Sequence, residues 1–129
     1  MPPHIVHLEG FDALSDELVA PSTQEKDSVY IFFCGSKDKA GDSWCPDCVK
    51  AEPVVMEIVH RLPETVKFIH CAIGQRDAWK DPDNVFRTHP GFRLSGVPTL
   101  VKWGELMKRL VEEQCWDRNL LAMIFEDNE

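Results

Sequence analysis

No stretch of this chain approaches the roughly 20 consecutive apolar residues that a membrane-crossing helix needs, so no spanning segment is expected. Basic charge is also scarce. Fourteen Lys and Arg stand against 22 Asp and Glu, a formal net charge of −8. Phosphate backbones are held by clustered cations, and the densest group here is Lys102 with Lys108 and Arg109. That argues against a nucleic-acid partner; the acidic balance serves solubility and repels anionic surfaces. A second close cysteine pair is missing as well. Cys34, Cys71 and Cys115 are scattered singly, and His60, His70 and His89 form no HxxxH pair. A structural zinc site normally takes four ligands, so no metal is expected. Five cysteines is an odd number without the spacing of a secreted disulfide framework. The start, MPPHIVHLEGF, lacks the basic and then apolar order of an export signal. The chain therefore reads as cytoplasmic, where a close cysteine pair is catalytic or metal-binding more often than structural.

What is present reads as one domain over residues 1–129, long enough to bury a core without staples. A short strand, IVHL, precedes a helix marked by Phe11, Leu14 and Leu18. VYIFFC (29–34) is continuously apolar, as a strand covered on both faces should be. After the polar loop GSKDKAGDS, Val55, Ile58, Val59 and Leu62 take up helical spacing from Pro46 onward. Pro46 suits a first helical turn, whereas Pro53 falls inside the helix and is expected to kink it. VKFIHCAI (66–73) predicts a second central strand, and a short helix is expected around 85–88. VPTLVKW and KRLVEE, split by Gly104-Glu105, read as a hairpin. A last helix places Leu120, Leu121, Ile124 and Phe125 on one face. The order predicts an α/β unit: a mixed sheet with helices on both faces.

Cys45-Pro46-Asp47-Cys48 carries the chemistry. A cysteine at a helix N-terminus meets free N–H groups and the positive end of the dipole, which favour a thiolate and lower the thiol pKa from about 8.5. Cys45 occupies that place as the expected nucleophile. Cys48 lies one helical turn on, within reach, as the resolving thiol. Asp47 opposes a thiolate by repulsion yet suits the helix end, and Pro46 removes one N–H donor. The two residues tune the couple in a direction the sequence leaves open. Cys34 and Cys71 end apolar strands and read as core residues, and Cys115 precedes the last helix. Trp79, Trp103 and Trp116 read as packing, whereas Trp44 adjoins the nucleophile and shapes its rim.

WCxxC after a strand, Pro53 five residues past the second cysteine, and Val97-Pro98-Thr99 resemble the thioredoxin fold. The resemblance implies a cis Val97–Pro98 bond facing the cysteines, with Trp44, Val97 and Pro98 as a substrate-docking edge. More narrowly, Gly35–Asp38, Trp44–Cys48, Ala51–Val55, Trp79–Pro82 and Val97–Leu100 resemble the thioredoxin domain-containing protein 17 family. That likeness implies a monomeric cytosolic disulfide reductase with no bound cofactor, taking electrons from NADPH through thioredoxin reductase. Implied substrates are cystine, peroxidases, some protein disulfides and nitrosothiols; implied links are to dynein light chain and tumour necrosis factor signalling. Two departures from ordinary thioredoxins stand out. The central pair is Pro-Asp, and residues 28–35 contain no acid to take the proton of Cys48. Asp47, Glu52 or water remain for that task. The loop 36–43 either walls the cysteines or is a solvated surface loop. A rival to catalysis is a redox-sensing signalling adaptor on the same scaffold, with little turnover.

Overall fold

The computed structural model describes residues 2–126, the side chain of Leu106 excepted. Five strands form one sheet: β1 (His4–Glu9), β2 (Ser28–Cys34), β3 (Val66–Ala72), β4 (Thr99–Lys102) and β5 (Glu105–Val111). Their spatial order is β1-β3-β2-β4-β5. β1 and β2 run parallel to β3, β4 runs antiparallel to β2, and β5 antiparallel to β4. The mixed sheet is the one the apolar runs predict. Six helices accompany it: α1 (Phe11–Val19), α2 (Pro21–Gln24), α3 (Pro46–Val59), α4 (Arg76–Lys80), α5 (Val85–Thr88) and α6 (Arg118–Phe125). Among the described residues no helix is long and apolar enough to cross a membrane.

Side chains alternate across β2, because successive residues of a strand point to opposite faces. Tyr30 and Phe32 turn to the face that carries α3 and α6. The Tyr30 hydroxyl donates to the Ile124 carbonyl at 3.2 Å, its ring packs edge-on against Phe125, and Phe32 packs against Phe68 and His70. Phe33 turns the other way, onto Phe86 and Phe92, which also meet Phe11 of α1. Every residue of β2 is buried, which accounts for its unbroken apolar run.

Several boundaries differ from the sequence reading, each for a local reason. β4 begins at Thr99 rather than Val97, because Pro98 has no N–H to give a ladder. β5 starts earlier, at Glu105, and ends at Val111; Glu112–Trp116 form a 3₁₀ turn instead of strand. α2 and α4 are only four and five residues long, too short to show a helical period. α3 runs through Pro53 as the sequence reading places it, and the ring there removes the N–H that would have bonded the Val49 carbonyl.

At the start of β3, Lys67 is wholly buried. Its ammonium group pairs with the Glu17 carboxylate and donates to Thr23 Oγ1 at 2.6 Å and Ser22 Oγ at 3.1 Å. Three hydrogen bonds use all three donors of the ammonium, which is what a buried lysine requires.

Candidate functional site

The two cysteines stand where the carboxyl end of β2 meets the amino end of α3. Cys45 is the N-cap of α3, with extended backbone (φ −95°, ψ 109°), and Pro46 takes the first helical position. The Cys48 N–H donates to Cys45 Sγ at 3.2 Å, so the sulfur fills the role a capping oxygen usually plays. Cys45 Sγ also lies 3.6 Å from the Val97 carbonyl oxygen, to which its thiol donates. The Val97–Pro98 bond is cis, as the resemblance implies, and brings that carbonyl to the nucleophile. Ser43 Oγ accepts the Cys45 N–H at 3.2 Å and donates to the Gly35 carbonyl at 2.8 Å, tying the base of the preceding loop to both cysteine and strand.

Trp44 is held rather than free. Its indole N–H donates to the Gly74 carbonyl at 2.8 Å, and its ring lies against Gly35, where a Cβ would come within 2.5 Å. Only glycine leaves room for the ring at that position. The Arg76 guanidinium lies 5.6 Å from the ring centroid and donates to the Trp44 carbonyl at 3.2 Å. Trp79, Trp103 and Trp116 are packing residues, Trp79 beneath the Arg87 guanidinium and Trp116 beneath Lys50.

The electrostatics correct one expectation. Cys45 is 4% exposed and Cys48 1%, and both thiols are pushed above their ordinary range. For Cys45 the Cys48 side chain raises most, burial next, and Asp47 adds a smaller push; the Cys48 N–H alone pulls downward. Asp47 thus disfavours the thiolate. The helix-end N–H works as expected but is outweighed in the closed, reduced site. Two sulfurs in contact give up their protons in separate steps, and the second proton is held because its loss would set two negative charges side by side. Of the two, Cys45 is the sulfur on the helix-end N–H and the more open one, so it is where the single negative charge belongs.

Sequence reasoning left Cys34 in the core, but its position is more telling. Cys34 follows Tyr30 and Phe32 in alternation, so it points to the face that carries α3. Its side chain contacts that of Cys48 and is the largest cause of the upward push there; the Gly35 N–H works against it. The even-residue alternation of 30, 32 and 34 was the available signal. Cys115 sits beneath the same site, with Sγ 3.6 Å from the Pro98 carbonyl oxygen and 3.4 Å from that of Leu110. Burial pushes the Cys115 and Cys71 thiols up to about 12. All five cysteines are free thiols.

Of the candidate acceptors for the Cys48 proton, Glu52 is engaged elsewhere. It accepts from Lys37 Nζ at 3.0 Å and lies 3.8 Å from His70 Nε2. That imidazole nitrogen is buried with no hydrogen-bond partner among the described residues, and burial lowers the His70 pKa to about 4. His70 is therefore neutral at ordinary pH. The tip of the 36–43 loop is exposed, while Asp38 Oδ1 accepts the Ala40 and Asp42 N–H groups and so shapes the turn. The described residues hold no group of three or more His, Cys, Asp or Glu arranged for a metal ion.

Comparison with known proteins agrees with this geometry. Residues 7–127 match the family described as "Thioredoxin domain-containing protein 17-like, thioredoxin domain". The chain is 42% identical over 123 residues to thioredoxin domain-containing protein 17 of Epinephelus coioides, covering 95% of each chain. It is 46% identical over 101 residues to the Homo sapiens protein of that name, covering 78% of this chain and 80% of the relative. Thioredoxin-like protein Clot of Arabidopsis thaliana is 40% identical over 99 residues, covering 75% and 74%. Among solved structures, oxidised thioredoxin O2 of Arabidopsis thaliana superposes with a TM-score of 0.59 at 19% identity, over 95% of this chain and 92% of that one; it shares the fold. The family points to thiol–disulfide oxidoreductase-type chemistry. The chain belongs to the thioredoxin domain-containing protein 17-like family and has the thioredoxin-like fold.

Proposed function

We propose that the protein is a cytoplasmic, monomeric disulfide reductase working by dithiol exchange through Cys45 and Cys48. The Cys45 thiolate attacks one sulfur of a substrate disulfide; the substrate S–S bond breaks, a mixed disulfide forms, and the leaving thiolate takes up a proton. Cys48 then gives its proton to water and attacks Cys45 Sγ. The Cys45–Cys48 bond forms as the mixed disulfide breaks, the second substrate sulfur leaves as a thiolate and takes up a proton, and the pair, now oxidised, has given two electrons to the substrate. NADPH, through thioredoxin reductase, returns the pair to the dithiol. Cystine, peroxidases, some protein disulfides and nitrosothiols are the substrates proposed. Trp44, Val97 and Pro98 form the docking edge, and Pro46 and Asp47 tune the couple.

One observation carries this reading: Cys45 Sγ lies between the Cys48 N–H at 3.2 Å and the Val97 carbonyl at 3.6 Å. A sulfur so placed receives the one N–H that favours its anion, against the larger opposing push of Cys48 and burial, and lies beside a backbone edge that a substrate chain can pair with. A second reading, a redox-sensing adaptor with dynein light chain as a proposed partner, draws on the burial of both thiols and their upward shifts. NADPH consumption with thioredoxin reductase and cystine separates the two. The reductase reading predicts catalytic turnover that Cys45→Ser abolishes; a flat trace at micromolar protein favours the adaptor.

A further inference from the structure

Two arginines in this molecule lie over tryptophan rings, and only one has charge to spare. Arg87 is half-buried: its guanidinium lies 3.7 Å from the Trp79 centroid, and its Nε donates to the Trp79 carbonyl at 2.7 Å. Arg76, at the start of α4, makes a looser copy of that arrangement on Trp44 and is exposed. Of its five N–H donors, one bonds the Trp44 carbonyl at 3.2 Å. Among the described residues no carboxylate pairs with it. That carbonyl belongs to the peptide bond directly before Cys45, so a planar cation is held one peptide from the nucleophile with most of its fork free.

Two other charged groups beside the cysteines are committed or of the wrong sign. Lys37 is paired with Glu52, and Asp47 repels anions at the helix end. The chief influences on the Cys45 thiol are Cys48, burial and Asp47, so Arg76 is not placed to activate the sulfur. Arg76 is exposed, so its free donors are open to a ligand from solvent beside the site. A guanidinium fork matches a carboxylate in geometry and charge.

We infer that Arg76 selects substrates, binding a carboxylate carried close to the disulfide bond that Cys45 attacks. This rests on the reductase reading and adds a substrate preference to it. The carboxylate belongs either to a small disulfide or to an acidic residue flanking a protein cystine.

The test uses the reduced, full-length protein in single turnover, with loss of the free Cys45 thiol followed by acid quench and mass spectrometry. The probes are dithiodipropionate, which is dianionic, and bis(hydroxyethyl) disulfide, which is neutral and of similar size. A pair of peptide disulfides differing only in a flanking Asp or Asn forms the protein-like arm. In Arg76→Gln the preference for carboxylate over neutral probe falls about two- to fivefold, the range for a solvent-accessible charge pair. It falls further in Arg76→Glu, is only partly kept in Arg76→Lys, which retains the charge without the fork, and shrinks in wild type as salt is raised. The pH profile of Cys45 alkylation stays unchanged in all three variants. The arm that responds identifies the source of the carboxylate. Equal slowing of charged and neutral probes would make Arg76 a prop for Trp44 and overturn the inference, as would no change in either; both leave the reductase reading standing. Failure of the wild-type protein to react with any of the four disulfides would overturn that reading as well.

Discussion

Two buried polar clusters sit at opposite ends of the central strands, and they are built on opposite terms. At the start of β3, Lys67 is surrounded by partners that meet every donor: Glu17, Ser22 and Thr23, the last of which also donates to the Glu17 carbonyl. At the far end, past Cys34 and Ala72, buried thiols meet mainly one another and a few backbone groups at 3.2 to 3.6 Å. Sulfur is a weak donor and a weak acceptor, so its burial costs little when left half-satisfied. An ammonium in the same position would have to be paired or neutralised. The contrast separates a cluster that holds the fold from one that stays available for reaction. Strong hydrogen bonds lock the first, whereas the second can exchange S–H for S–S bonds without opening the core.

That contrast is breakable. The largest effect is expected at the lysine end, where Lys67→Met leaves Glu17 and two hydroxyls without their cation. Removing one member of a buried pair costs several kcal/mol; with Glu17 partly exposed, about 3 kcal/mol of unfolding free energy should be lost. Activity per folded molecule should be unchanged. Denaturant unfolding beside a disulfide assay checks both parts. A loss under about 1 kcal/mol would mean that the ammonium is as dispensable as a surface charge.

At the thiol end the balance reverses. Cys48→Ala removes a small side chain and should cost about 1 kcal/mol of stability. Its main effect falls on Cys45, because the Cys48 side chain is the largest cause of the upward shift there. With that cause gone, the helix-end N–H remains and the Cys45 pKa falls. The thiolate is then present at lower pH, so the midpoint of the alkylation profile moves down and the rate near neutral pH rises by about tenfold, the factor for one pKa unit. An alkylation profile that stays put or moves upward would remove Cys48 as the group restraining its neighbour.

The same division explains what the sequence could and could not disclose. Cys45 was legible as a helix-capping thiol because Pro46 and the spacing of Val55, Ile58, Val59 and Leu62 mark the start of α3. The central place of β2 and β3 was legible because both are buried, β2 reading as an unbroken apolar run and β3 as one interrupted by Lys67 and His70. Lys67 was not, since its partners lie 44 to 50 residues away in sequence and nothing local demands them. The lowering expected for the Cys45 thiol failed chiefly because Cys48, one helical turn on, raises it, and then because burial, which arises only when β2 and α3 pack together, adds to that push. Arg76 lay in a polar stretch with no period, and its approach to the Trp44 carbonyl depends on α4 crossing 32 residues of chain.

Peptide mapping by mass spectrometry after mild oxidation tests the central claim most directly. The account predicts one intramolecular bond, Cys45 to Cys48, two hydrogens lighter than the dithiol and restored by thioredoxin reductase with NADPH, while Cys34, Cys71 and Cys115 stay as thiols. If Cys45 and Cys48 remain separate, or if Cys48 is found joined to Cys34 instead, the dithiol couple proposed here is contradicted.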